Sequence, residues 1–107
     1  MEALQFLDKL KAVDEIFKAK DAPISEPEFR LLHDMGKNRS ARIKDLSNLR
    51  SIATQSVGRM CGNLVSRGLI TVEINAKDKR ERIITLTKTG AQLERKYRTQ
   101  IEGILNE

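Results

Sequence analysis

Between residues 2 and 20, large apolar side chains recur three and four positions apart. Leu4, Leu7, Leu10, Val13 and Phe17 form the stripe, Phe6 and Ile16 widen it, and charged residues fill the gaps. That spacing predicts an amphipathic helix. So many large apolar groups on one face must bury against something, and in a short chain a second copy of the protein is one candidate. Asp21-Ala22-Pro23-Ile24 breaks the pattern. Ser25-Glu26-Pro27-Glu28 then predicts a helix start: Ser25 caps, Pro27 suits the first turn, and Glu28 completes a capping box. Phe29, Leu31, Leu32 and Met35 give that helix its apolar face. Gly36 is expected to end it in the left-handed conformation, and Lys37-Asn38-Arg39-Ser40 reads as a polar loop.

Ala41-Arg42-Ile43 is at most a short extended stretch. Ile43, Leu46 and Leu49 predict a helix of about two turns over 44–49, broken at Arg50-Ser51-Ile52. A longer helix follows over 53–67. Val57, Met60, Cys61, Leu64 and Val65 make its apolar face, and Thr54, Gln55, Ser56, Arg59, Asn63 and Arg67 the opposite one, with Gly68 as terminator. Gly58 and Gly62 each cost this helix about 1 kcal/mol relative to alanine. They read as close-packing positions or as the reason for a moderately stable helix. Residues 69–74 are β-rich, with Ile70, Val72 and Ile74 alternating; 75–80 form a polar tip; 82–87 make a second strand with Ile84 and Leu86 in phase. Together they predict a β-hairpin. Thr87 is placed to cap a last helix over 88–105, whose stripe is Leu93, Tyr97, Ile101, Ile104 and Leu105.

Length and composition narrow the class. At 107 residues the chain supports one domain. Neither a membrane-spanning apolar run nor a secretory leader is visible. The single cysteine fits a reducing cytoplasm, and Cys61, in the apolar phase of its helix, reads as a core residue rather than a redox sensor. His33, the one histidine, lies inside an apolar helical pattern. No nucleophile–base pair or metal-ligand cluster can be assembled, so the expectation is a protein that is not an enzyme, with no cofactor and no metal.

Charge changes the picture more. The net charge is +5, but residues 37–82 hold eleven basic and four acidic side chains, a surplus of seven, while the two ends together are slightly acidic. A basic middle suggests a surface for a polyanion. The order helix, helix, short helix, polar-faced helix, β-hairpin is that of a winged helix-turn-helix. The fold class expected is mainly α with a small β-hairpin: a winged-helix core over 24–87, flanked by dimerisation helices over 1–20 and 88–107. A helix fits the major groove with its outward side chains at base edges, and a hairpin tip bearing Lys77, Lys79 and Arg80 can reach the neighbouring backbone or minor groove.

These residues also carry a family resemblance. Gly68-Leu69, then Asp78 and Arg80, then Leu86-Thr87 with Gly90, resemble the wing region of the MarR-type transcription regulators, a likeness covering roughly residues 24–97. It implies a dimeric, sequence-specific regulator of double-stranded DNA. In that family the wing-tip arginine enters the minor groove and an aspartate two residues earlier holds it, roles that fall here on Arg80 and Asp78. The recognition-helix contacts fall on Thr54, Gln55, Ser56 and Arg59, with Ser51 a phosphate contact at the helix entrance and Lys77 and Lys79 beside the wing tip. Paired chain ends would set two recognition helices about one DNA turn apart on a pseudo-palindromic site. Family members are usually longer, so a dimer interface that is smaller or built differently is expected. No distinctive constellation fills the family's ligand pocket, which leaves a small-molecule effector open. Three readings compete: a transcription regulator, a DNA-architectural or replication/partition protein of the same fold, and a winged helix used for protein contact.

Overall fold

The computed structural model describes residues 2–36 and 40–107. Lys37, Asn38 and Arg39 of the expected polar loop lie outside the described residues. The elements in chain order are α1 (Ala3–Lys18), α2 (Glu26–Met35), β1 (Ser40–Arg42), α3 (Ile43–Arg50), α4 (Thr54–Ser66), β2 (Ile70–Ile74), β3 (Arg82–Leu86) and α5 (Lys88–Leu105).

Local chemistry sets most of these boundaries. The Ser25 hydroxyl accepts from the Glu28 backbone N–H, and the Glu28 carboxylate accepts from the Ser25 N–H at 2.8 Å, a complete capping box with Pro27 in the first turn. Thr87 caps α5 by accepting from Gly90 N–H at 3.0 Å. Gly68, at φ +72°, ends α4 in the left-handed region that glycine tolerates. Gly36 departs from expectation. It is itself right-handed (φ −56°, ψ −37°), and its N–H donates to the His33 carbonyl at 3.0 Å, a tightened last turn of α2.

The expected hairpin is part of a three-stranded antiparallel sheet of order β1-β3-β2. Ser40, Ala41 and Arg42 pair with Thr85, Ile84 and Ile83. Three residues are too few for alternation to announce a strand; β1 is defined by a partner some forty positions away. In β2 the alternating set splits: Ile70 is buried while Val72 and Ile74 are exposed. Their cross-strand partners are Leu86, Ile84 and Arg82, so the apolar phase continues outward along the wing beyond the core.

The core joins Leu31, Leu32 and Met35 of α2, Leu46 of α3, Val57, Cys61 and Leu64 of α4, and Ile70, Ile84 and Leu86 of the sheet. Tyr97 of α5 is buried with them, so the stripe of the last helix does not lie wholly outside the winged-helix core as expected. Tyr97 stacks on Phe17 of α1 with ring centroids 5.1 Å apart, and Phe29 of α2 lies 6.0 Å from Tyr97. The stripe of α1 therefore divides. Ile16 and Phe17 pack on the core, whereas Leu4, Phe6, Leu7 and Leu10 remain exposed, as does Leu105 at the end of α5. Lys9 donates to the carbonyls of Leu105 and Glu107 at 3.0 and 2.8 Å, a cation at a helix C-terminus.

Gly58 and Gly62 are not close-packing positions within the protomer: a Cβ built at either meets nothing within 4 Å. Gly58→Ala and Gly62→Ala are each expected to stabilise the fold by about 0.5–1 kcal/mol, since each removes a backbone-entropy cost and adds no clash. A urea titration followed by circular dichroism reads this as a higher midpoint; an unchanged or lower midpoint contradicts it.

Candidate nucleic-acid interface

Within the turn between α3 and α4, Ser51 adopts φ +53°, ψ +41°, a left-handed residue other than glycine. The turn is held beneath it. Ser47, buried, donates its hydroxyl to the Ile52 carbonyl, and the Ile52 N–H donates to the Ser47 carbonyl at 3.0 Å. These bonds fix where α4 begins relative to α3. Ser51 itself is exposed at that entrance.

On α4, Val57, Cys61 and Leu64 face the core. At 3.6 residues per turn, Gln55, Arg59 and Ser66 project within roughly 40° of one another on the opposite side, with Asn63 and Ser56 next to them along one edge. All five are exposed. Thr54, though exposed, lies roughly 100° around the helix from Gln55, and its hydroxyl is 3.4 Å from that of Ser47. Among the described residues Arg59 has no carboxylate partner. Burial pushes the Cys61 thiol up to about 11, so it is neutral and shielded at neutral pH.

The wing tip is organised around Asp78. Its carboxylate accepts from the Arg80 backbone N–H at 3.0 Å and from the guanidinium at 3.1 and 3.3 Å. The Arg80 hydrogen bonds hold the Asp78 carboxyl below the usual carboxylate range, the side-chain bond more than the backbone one. The Arg80 side chain is nonetheless 91% exposed. Asp78 orients the guanidinium without covering it. Lys77 and Lys79 are exposed beside it, and Arg82 donates to the Lys79 carbonyl at 3.1 Å.

The basic surplus of the sequence is smaller in space. Arg67, still part-exposed, donates to the buried Glu28 at 3.1 Å. Arg50 pairs with Asp34 at 2.5 Å. Arg42 grips Asp45 with two bonds of 2.9 and 3.0 Å and donates to Glu81 at 2.9 Å. Asp45 first, and Glu81 after it, raise the Arg42 guanidinium further above its ordinary range. Lys44, Arg59, Lys77, Lys79 and Arg82 have no carboxylate partner among the described residues. Of these pairs only Arg42–Asp45 had a signal in the sequence, its three-residue spacing at a helix start; the roles of Glu81 and Ser47 had none. Among the described residues no hydrogen bond or ion pair joins the Thr54–Arg59 set to the wing-tip set; each stands on its own support.

A groove of about 580 Å³ is lined by His33, Asp34, Leu49, Arg50, Glu94 and Arg98. Its polar groups pair with one another: Arg50 with Asp34 and Arg98 with Glu94 as ion pairs, and the His33 ring with Glu94 through a hydrogen bond. No group of three metal-ligating side chains occurs, and no helix is long and apolar enough to cross a membrane, among the described residues.

The MarR family model matches residues 24–81. The HTH-type transcriptional regulator PetP of Rhodobacter capsulatus is 32% identical over 66 residues, which is 62% of this chain and 40% of that protein. An uncharacterized HTH-type transcriptional regulator of Staphylococcus aureus is 32% identical over 63 residues, 59% of this chain and 43% of its own. The chain thus spans about two fifths of the length of the curated relatives it matches. A crystal structure of mutant MarR from E. coli complexed with operator DNA superposes with a TM-score of 0.73 at 23% identity, covering 90% of this chain and 67% of that one. The YusO protein of Bacillus subtilis gives 0.79 at 16% identity, covering 99% and 82%. At these identities the structural matches establish the winged-helix fold.

Proposed function

The chain belongs to the MarR family, and from that premise we propose that it is a transcription regulator that binds double-stranded DNA as a homodimer. The observation that carries the proposal is the Asp78–Arg80 pair: a guanidinium oriented by two-point contact yet 91% exposed, at the tip of a basic hairpin. An arginine held outward with its charge unburied suits a narrow minor groove, where the negative potential is concentrated. Gln55, Ser56 and Arg59 are assigned to base edges in the major groove. Ser51 and Thr54 at the helix entrance, with Lys77 and Lys79 on the wing, are assigned to phosphates. The exposed ridge of Leu4, Phe6, Leu7 and Leu10 with Leu105 supports pairing of chain ends across a two-fold axis. On this reading residues 24–87 read DNA, the terminal helices pair, the protein works in the cytoplasm, and no catalytic step is involved.

Selection of bound duplexes from a random pool by the full chain tests this. The expected product is a two-fold symmetric site with half-sites about one helical turn apart. A pool enriched for no sequence, despite binding, rejects sequence-specific regulation in favour of an architectural role. A chain that retains no duplex rejects DNA binding altogether.

A further inference from the structure

Glu81 is a carboxylate among Lys77, Lys79, Arg80 and Arg82 of the hairpin. On charge alone it opposes a polyanion, because each negative group near the contact surface reduces the benefit of counterion release. Its geometry does something else. One oxygen accepts from the Arg42 guanidinium at 2.9 Å, and the other accepts from the Asn75 side-chain amide at 2.8 Å. Asn75 follows β2 and Glu81 precedes β3, so this carboxylate sits where the two wing strands part. The backbone closes there too: Asn75 N–H donates to the Glu81 carbonyl at 3.1 Å, and Glu81 N–H to the Asp78 carbonyl at 3.0 Å. Arg42 ends β1 and is locked to Asp45 in the first turn of α3. A continuous path of hydrogen bonds therefore runs from α3 through Arg42 and Glu81 to both strands of the wing.

We infer that Glu81 is a positioning residue, which holds the wing tip at a fixed angle to the helix-turn-helix and so presents Arg80 to DNA without touching DNA itself. The inference rests on the DNA-binding reading above. Without the clamp, the tip between Asn75 and Glu81 is tied to the domain only through its strand ends, and the competent angle becomes one of several.

The sign of the effect separates this role from simple charge. Glu73, on the same hairpin, is exposed, and its carboxylate has no hydrogen-bond or ion-pair partner among the described residues. Glu73→Gln and Glu81→Gln remove the same charge from the same hairpin. The experiment is equilibrium binding of the full chain to its selected duplex at one fixed salt concentration, with thermal melts of each variant. Glu73→Gln is expected to bind as tightly as the wild type or tighter. Glu81→Gln is expected to bind about fivefold more weakly, as when the competent pose is held about one fifth of the time. Its melting temperature is expected to fall by no more than about 4 °C, because the pair is half-exposed at Arg42 and only partly buried at Glu81. Faster amide exchange at Asn75 should accompany the loss. Equal or tighter binding by Glu81→Gln overturns the clamp and leaves the DNA reading standing, as does weaker binding that merely tracks a large fall in melting temperature. A wild-type chain that binds no duplex removes both together.

Discussion

Gly90→Ala is expected to destabilise the fold by about 3 kcal/mol or more, at or beyond the upper end of overpacking costs. A Cβ at Gly90 would lie 2.1 Å from the Leu69 carbonyl oxygen and 2.9 Å from Leu86 Cδ1. The first neighbour cannot give way cheaply. Leu69 O is already the acceptor for the Thr87 N–H at 3.1 Å and for the Thr87 hydroxyl at 2.9 Å. Moving it loosens the bonds that end α4, start β2 and cap α5 at once. The same glycine-to-alanine change at Gly58 has the opposite expected sign, so the two variants form an internal comparison. Urea midpoints by circular dichroism decide it: a Gly90→Ala loss under about 1 kcal/mol would mean that the contact relaxes in solution.

Arg80→Ala is expected to weaken duplex binding about tenfold and to lower the slope of log affinity against log salt by nearly one unit. The side chain supplies little to folding, being almost fully exposed, so the melting temperature should hold. Asp78→Asn separates orientation from charge. It removes a negative group, which favours any polyanion, and weakens the hold on the guanidinium, which penalises a groove-specific fit. The expected outcome is similar or tighter binding to random duplex with less discrimination for the selected site. Because Arg80 keeps the Asp78 carboxyl below its ordinary range, the pair is charged at neutral pH and is lost only as pH falls through that lowered value. Binding should not titrate through Asp78 between about pH 5 and 8. An Arg80→Ala protein with unchanged affinity and salt slope would reject the wing assignment.

The features legible in the sequence were those written locally. Ser25 with Glu28, Thr87 before α5 and Gly68 after α4 each need only neighbours three or four positions away, and the structure places all three as expected. The Asp78–Arg80 pair is of this kind too. What was not legible depends on partners far along the chain. The β1 strand exists because β3 reaches it. Arg67 and Arg50 look like part of a basic surface until Glu28 and Asp34 are seen beside them, and Arg42 until Glu81 is. The division of α1 into a docked and an uncovered half follows from where Tyr97 sits, which periodicity cannot show. Gly36 and Gly90 illustrate the limit for one residue type: composition marks both as special, but only the backbone shows that the first is a cap in the ordinary right-handed conformation and the second a steric necessity.

The stacked Phe17–Tyr97 pair has an optical consequence. The chain has one tyrosine and no tryptophan, and no phenylalanine, tyrosine or tryptophan occurs between Phe29 and Tyr97. Its intrinsic emission therefore comes from a single fluorophore at the seam of α1, α2 and α5, while α4 and the wing are dark. Undocking of the first helix can be watched without a label, and a nucleic acid laid along α4 and the wing has no tyrosine or tryptophan there to quench.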